Sequence, residues 1–315
     1  VFSCLAHGCG KDVDCWEAFT RTQQLLRQHI QLMQLVMEGI IEEAWDTFEP
    51  ETPVGDMLVY KTIDAGGTRA LWVHDLDSGE KWMVPGTLGV NLTIVGLSRT
   101  GVLVLFDRAG AFTGEKDRVL VSTNYGRNTP VDLTPSFNLY SSSKLYPREV
   151  DLDALGHIYF CGHVKDSKKG IYRINADGTG LMLLPIDVND DGAHQNFDSN
   201  FVSVTPDGSM VAFSHTWDGG WLTIANVGGS LWNIRLLQTG VQEALISPRG
   251  KYVAFDADYY GDGQLKLVQA PDGLVIDLNR PDLDPDAVAF SPDETYLGAM
   301  APNLSLPGLN SPHRF

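Results

Sequence analysis

The residues best spaced for chemistry are Asp187-Val-Asn-Asp-Asp-Gly-Ala-His-Gln-Asn-Phe-Asp198. They read D-x-N-x-D-G-x5-D, the register of a calcium-binding loop with Asp in the closing position usually held by Glu. Calcium takes six to eight oxygens, and alternate residues of a tightly coiled loop aim at one point. Asp187, Asn189 and Asp191 would give side-chain oxygens, Ala193 its carbonyl, Gln195 a side chain or bridging water, and Asp198 the last carboxylate. Gly192 permits the sharp bend. Strand-like segments flank the loop, so an EF-hand proper is not expected. The bland alternative is an acidic connection without metal.

A second group consists of exposed aromatics among acids: Trp217 and Asp218 in "HTWDGG", and Asp256, Asp258, Tyr259, Tyr260 and Asp262 in "DADYYGDG". Such a mixture suits a protein or sugar partner, although the rings could equally pack on the bases of their own loops. His163, His194 and His215, with Gln195, suggest a weaker alternative: a divalent metal serving a polysaccharide lyase or hydrolase. Arg108, Lys116, Lys165, Lys168 and Lys169 form no recognisable anion-binding set, which weighs against an acidic sugar. No G-x-S-x-G elbow, P-loop or dinucleotide fingerprint occurs, and no catalytic residue is assigned.

Three cysteines, Cys4, Cys9 and Cys15, crowd residues 1–15. Their spacing fits neither a zinc knuckle nor haem attachment, and favours a disulfide in an oxidising compartment, periplasmic or extracellular. A lipid anchor at Cys4 is the weaker reading, because Val1–Ser3 would then have been removed. Cys161, inside the apolar run "HIYFCGHV", reads as a buried free thiol.

These residues need positioning elements. Residues 16–48 contain no proline, and Phe19, Leu26, Ile30, Met33, Met37, Ile40 and Ala44 recur at helical spacing. The expectation is a long amphipathic helix within 16–50, its apolar face covered by the chain's own remainder or, through Ile30, Met33 and Met37, by a partner in an assembly. Over 51–315 the texture changes to short β-like runs broken by Gly, Pro, Asp and Asn. Five segments align as strand, turn, strand: "TIVGLSRTGVLVLF", "REVDLDALGHIYF", "FVSVTPDGSMVAF", "EALISPRGKYVAF" and "DAVAFSPDETYLGA". Gly101, Gly156, Gly208, Gly250 and Glu294 mark their turns, at the 40–55-residue period of propeller blades.

The segments "VSVTPDGSMVAF", "LISPRGKYVAF" and "AFSPDETYLGA" resemble TolB-like propeller repeats. The resemblance covers about residues 56–300 and implies an all-β propeller of about six, or five, four-stranded blades, usually outside the cytoplasm. Members bind proteins, carry catalytic domains or occasionally act on sugars. Two of the aligned turns lack the "SPDG" form, and the helix is no part of that repeat. "DMLVYKTIDAGGTRALWVHDLDSGEKWMVP" supplies second, third and fourth strands but no first, so the C-terminal first strand could complete that blade and close the ring.

With 23 Lys+Arg against 40 Asp+Glu, the net charge of −17 argues against nucleic acid and anionic membrane as partners. No apolar run reaches the length of a membrane span. The combined reading is an extracytoplasmic propeller serving as a protein-binding scaffold, with calcium fixing one loop.

Overall fold

The computed structural model describes residues 57–64, 66–107, 117–139, 145–165, 167, 169–186, 201–215, 221–227, 231–232, 241, 244–256, 265–270, 273–277, 284–290, 294 and 297–300. They form six antiparallel sheets in sequence order, the blades of a β-propeller. The first holds β1 (Met57–Ile63), β2 (Arg69–Asp75) and β3 (Lys81–Met83). The second holds β4 (Leu92–Leu97), β5 (Leu103–Asp107), β6 (Arg118–Ser122) and β7 (Val131–Asp132). The third comprises β8 (Val150–Leu152), β9 (Ile158–His163), β10 (Lys169–Ile174) and β11 (Met182–Leu183). The fourth is β12 (Val202–Val204), β13 (Met210–His215), β14 (Trp221–Asn226) and β15 (Leu231–Trp232). The fifth is β16 (Ala244–Ile246), β17 (Tyr252–Asp256), β18 (Leu265–Gln269) and β19 (Leu274–Asp277), and the sixth is the hairpin β20 (Asp284–Phe290) and β21 (Leu297–Met300).

Each aligned repeat is therefore the first and second strand of a blade. The N-terminal stretch supplies three strands, as its sequence predicts. The expected closure by the C-terminal first strand is not what the pairing shows: β20 pairs with β21, and their Phe290 and Leu297 pack against Ala254 and Leu265 of the fifth sheet. A tight hairpin is the cheapest partner for β20, since only six residues must be ordered to form it.

The core lies between blades. Val104, Phe106, Val119 and Val121 of the second blade meet Ile158, Phe160, Tyr172 and Ile174 of the third. Phe137, in a 3₁₀ turn (Thr134–Phe137), stacks on Phe160 at 4.3 Å, and Phe160 on Tyr172 at 5.5 Å. Successive strand residues point to opposite faces, so each full blade presents one apolar face to each neighbour. Cys161 is buried, as its sequence context implies, and its thiol is in no disulfide.

Buried on both sides, the first strands must satisfy every turn amide locally. Ser98 Oγ accepts from Val102 N (3.0 Å), Asp153 Oδ1 from Leu155 N (2.9 Å) and His157 N (3.0 Å), Thr205 Oγ1 from Met210 N (3.1 Å), and Ser247 Oγ from Tyr252 N (2.9 Å). The turns also join across blades: Arg99 N donates to Ala154 O (3.0 Å) and Ala154 N to Pro206 O (2.8 Å). Pro206 has no N–H to pass on, so the fourth and fifth blades join differently. Ile246 N donates to Ser203 Oγ (3.1 Å), and Gly250 lies hard against Met210. Glu294, at φ 61 where the other four repeats have Gly, reaches back so that its carboxylate accepts from Ser247 Oγ (2.5 Å) and Arg249 N (2.6 Å).

A methyl group at Gly250, whose φ is +70, would overlap Met210 Sδ, whereas one at Gly79 (φ +74) would meet nothing within 4 Å. Both substitutions carry the left-handed penalty of about 1–2 kcal/mol, and Gly250→Ala adds overpacking of about 1–3 kcal/mol. Urea unfolding should therefore show Gly250→Ala the more destabilised of the two. Equal midpoints would mean that the blade contact at Met210 is slack.

Candidate functional site

The strand directions sort the connections into two faces. First-to-second and third-to-fourth turns leave one face, and second-to-third and blade-to-blade connections leave the other. The inter-blade bonds among the Arg99, Ala154 and Pro206 turns bring the first set together. On this turn face no connection is longer than eight residues. On the opposite, loop face the connections after Asp107, Asp132, Leu183 and Trp232 hold ten, 17, 18 and 11 residues.

The described strand ends that flank three of the stretches singled out from sequence lie at the loop face. Asp256 ends β17 in register with Leu265, and the stretch bearing Asp258, Tyr259, Tyr260 and Asp262 follows it. Trp217 and Asp218 lie between His215 and Trp221, which pair as the last residue of β13 and the first of β14. The 187–198 stretch joins β11 to β12. Asp187, Asn189, Asp191, Ala193, Gln195, Asp198, Trp217, Asp218, Asp258, Tyr259, Tyr260 and Asp262 themselves lie outside the described residues, as do Ile30, Met33, Met37, Cys4, Cys9 and Cys15.

The described rim of this face is polar and anchored. Buried Asp107, at the end of β5, forms an ion pair with Arg118 at the start of β6. His163 ends β9 opposite Lys169. The loop after it is tied down by Lys165 N donating to Asn138 O (2.8 Å) and by Tyr172 OH donating to Ser167 Oγ (2.9 Å). Tyr146 and Leu88, in blade-to-blade connections, are exposed. His163 and the backbone of His215 thus reach the expected face, while His194 lies outside the described residues. Among the described residues no three His, Cys, Asp or Glu side chains gather as a metal site.

A cluster not anticipated from sequence sits on the turn face. Asp153, 2% exposed, places Oδ2 2.7 Å from His157 Nδ1 and accepts from Tyr159 OH at 3.2 Å. Burial, then the adjacent carboxylate, push the Tyr159 phenol far above its ordinary value, so it remains a donor. A carboxylate-oriented imidazole has the form of a general-base pair. Here, however, Asp153 Oδ1 is taken by two turn amides, and Gly208 of the next blade closes over Oδ2 so tightly that a Cβ there would lie 2.8 Å from it. With no space for a reacting group at the carboxylate, the arrangement clamps two blades together. The sequence signal was Asp three residues before the turn glycine and His one after it.

Several turn carboxylates are held below their ordinary pKa by hydrogen bonds. At Asp64 the Thr68 amide is the largest cause, at Asp75 the Ser78 hydroxyl, and at Asp177 the Thr179 hydroxyl. At Asp207 burial pushes upward but the Thr205 hydroxyl and Ser209 amide outweigh it.

No family model matches the chain, and no curated protein matches it. Among solved structures it is similar to an oligogalacturonate lyase in complex with manganese, at 15% identity over 78% of this chain and 70% of that one, with a TM-score of 0.52. The hydrazine synthase of Kuenenia stuttgartiensis aligns at 11% identity over 80% and 72%, TM-score 0.50. TolB from Acinetobacter baumannii aligns at 15% identity over 77% of this chain, TM-score 0.49, and the chain spans 57% of its length. At these identities the likeness establishes the propeller fold.

Because the native pKa values of Asp64, Asp75, Asp177 and Asp207 lie below the unfolded reference of about 3.9, their contribution to stability is complete above that pH. It is lost as pH falls through the lowered native values. The urea midpoint should drop in this acid window, and Asp75→Asn with Asp177→Asn should flatten the drop. An unchanged acid limb in the double variant would show that these turn bonds carry no pH dependence.

Proposed function

We propose that the chain is an extracytoplasmic propeller scaffold that binds a protein partner through its loop face, with calcium fixing the 187–198 loop. The observation that carries this reading is the asymmetry between the faces. One is closed by short, mutually hydrogen-bonded turns; the other receives every connection of ten residues or more. Binding residues concentrate on loops held by a rigid scaffold. The same face receives the shorter connections, of five and eight residues, that carry the aromatics Trp217, Tyr259 and Tyr260 among acids, a composition suited to a protein interface with a basic rim. Asp187, Asn189 and Asp191 alternate along the connection after Leu183, as oxygen ligands for calcium should. The amphipathic segment 16–48 is a second docking element in this reading.

A lyase or hydrolase is the second reading. It is favoured by the placement of His163 and His215 at the ends of second strands on the same face. Manganese binding lost in His163→Ala and His215→Ala, together with unsaturated product from an acidic oligosaccharide, would establish it over the scaffold.

Calorimetric titration of the chelator-treated chain with calcium is expected to show about one site, abolished by Asp187→Ala and by Asp191→Ala. A photo-crosslinker at Trp217 should then capture a protein partner that one at Asp177, on the turn face, does not. No calcium binding removes the metal from this reading, and equal capture from both faces removes the loop face as the binding surface.

A further inference from the structure

We propose that the outer edge of β19, at the rim of the fifth blade, pairs with an extended segment of a partner protein: a short apolar run bounded by Lys or Arg. This surface is separate from the loop face, and neither reading depends on the other.

The outermost strand of a blade points backbone N–H and C=O groups away from its sheet, a template for another strand. The second, third and fourth blades keep that edge to two residues, Val131–Asp132, Met182–Leu183 and Leu231–Trp232. The first blade keeps it to three, opening with Lys81. Short edges and an edge lysine both block strand addition. β19 has neither: it runs for four residues, Leu-Val-Ile-Asp, and among the described residues no strand lies on its outer side. Leu274 is 59% exposed and Val275 38%. Successive side chains point to opposite faces, so each face of β19 offers one apolar contact beside the open edge. The template is also firmly held. β19 pairs along its whole length with β18, from Gln269 opposite Leu274 to Lys266 opposite Asp277, and Leu265 and Val268 of β18 are buried. Gly273, at φ 67, donates to Gln269 O at 3.0 Å in the turn that delivers β19. An added strand therefore meets a formed edge and does not have to order one, which lowers the cost of binding.

The edge specifies its occupant. In strand addition the main-chain bonds give affinity and the alternate side chains give specificity. Leu274 and Val275 call for apolar residues on both faces of the incoming strand. Around them the sequence carries Asp272, Asp277, Asp282, Asp284 and Asp286 against Arg280, which calls for cations at its ends. A second copy of this chain fits less well. Antiparallel pairing of two β19 edges would set the Asp272 end of one against the Asp277 end of the other, on chains of net charge −17.

Fluorescence anisotropy of a labelled peptide, Lys-Lys-Val-Ile-Val-Ile-Lys-Lys, titrated with the full chain at physiological salt tests this. Saturable binding is expected, with slowed amide exchange in residues 274–277, and Leu274→Lys/Val275→Lys should weaken it by about tenfold or more. Both side chains are exposed, so this variant should keep its fold, which unchanged exchange in β16–β18 checks. Methylating alternate backbone nitrogens of the peptide removes donors on one edge only. One alternate set should abolish binding and the other spare it. Absence of saturable binding overturns the proposal, as does binding that survives both methylated sets or that the double variant leaves unchanged. A peptide with Glu in place of its lysines that binds equally well overturns the basic occupant. Sedimentation that shows the free chain as a dimer, dissociated by the same double variant, would assign the edge to a second copy and overturn it likewise.

Discussion

The structure depends on satisfying the backbone of strands that are buried on both sides. β8 and β12 are three residues long and lie beneath the turns that must reverse the chain at once. A turn amide left without a partner there would cost about 1–3 kcal/mol, comparable to a large part of a domain's net stability. The sequence answers with one short oxygen-bearing side chain at the same place in every described turn: Ser98, Asp153, Thr205 or Ser247. Each is almost wholly buried, and each accepts from the amide that opens the returning strand. Gly or Ala would leave that amide dry. A longer side chain would not fit beneath the next blade, which at Gly208 approaches Asp153 and Tyr159 within contact.

From this local solution the ring is assembled by small variations. Where the turn peptide is free to donate, as at Arg99 and Ala154, adjacent blades join through the backbone. Pro206 ends that series because it lacks a donor, and its blade substitutes a serine one strand deeper. Glu294 goes furthest, holding a left-handed conformation that costs a non-glycine residue roughly 1–2 kcal/mol and recovering it through the hydrogen bonds its carboxylate accepts from Ser247 Oγ and from the Arg249 and Lys251 amides. At the other end of the described chain, Arg127 lies over Trp82 at 3.8 Å while pairing with Glu80 at 2.8 Å, and Trp82 Nε1 donates to Tyr125 O at 2.9 Å. Ion pairs this exposed add little alone; the half-buried indole bond and the stacked guanidinium make the clip.

Much of this was legible in the sequence because the period of a blade is a physical one. Alternating apolar residues on both sides of a Pro/Gly turn can belong only to an antiparallel hairpin, and five of them in order fix the architecture. The missing first strand of the first blade was legible for the same reason. What was not legible depends on pairings between segments distant in sequence. β7 and β11 are two residues long and carry no pattern of their own, being strands only because β6 and β10 offer an edge. The stack of Phe137 on Phe160 joins an irregular connection to a neighbouring blade, and no local signal announces it. The Asp153–His157 pair resembles catalytic machinery in composition, and only the closeness of Gly208 shows that its carboxylate is enclosed between blades. The 187–198 pattern and the aromatic-acidic stretches are readable by residue type alone, and type gives donors and not their convergence.

The separation of the two faces follows from the same constraint and sets what each can do. A turn whose side chain caps its own amide and whose backbone reaches the next blade cannot lengthen without breaking both links. The turn face is therefore fixed at short connections, and the Asp153 carboxylate is enclosed between its own blade and the next. Second-to-third and blade-to-blade connections carry no such obligation, since the strands they join are already held along their length by the sheets. Asp107 with Arg118, and Asn138 with Lys165, pin only the bases of these connections. Length and composition beyond those bases are free to vary, at a cost that grows only slowly with loop length. A propeller stitched on one face thus keeps its freedom to vary on the other, where every connection of ten residues or more is found.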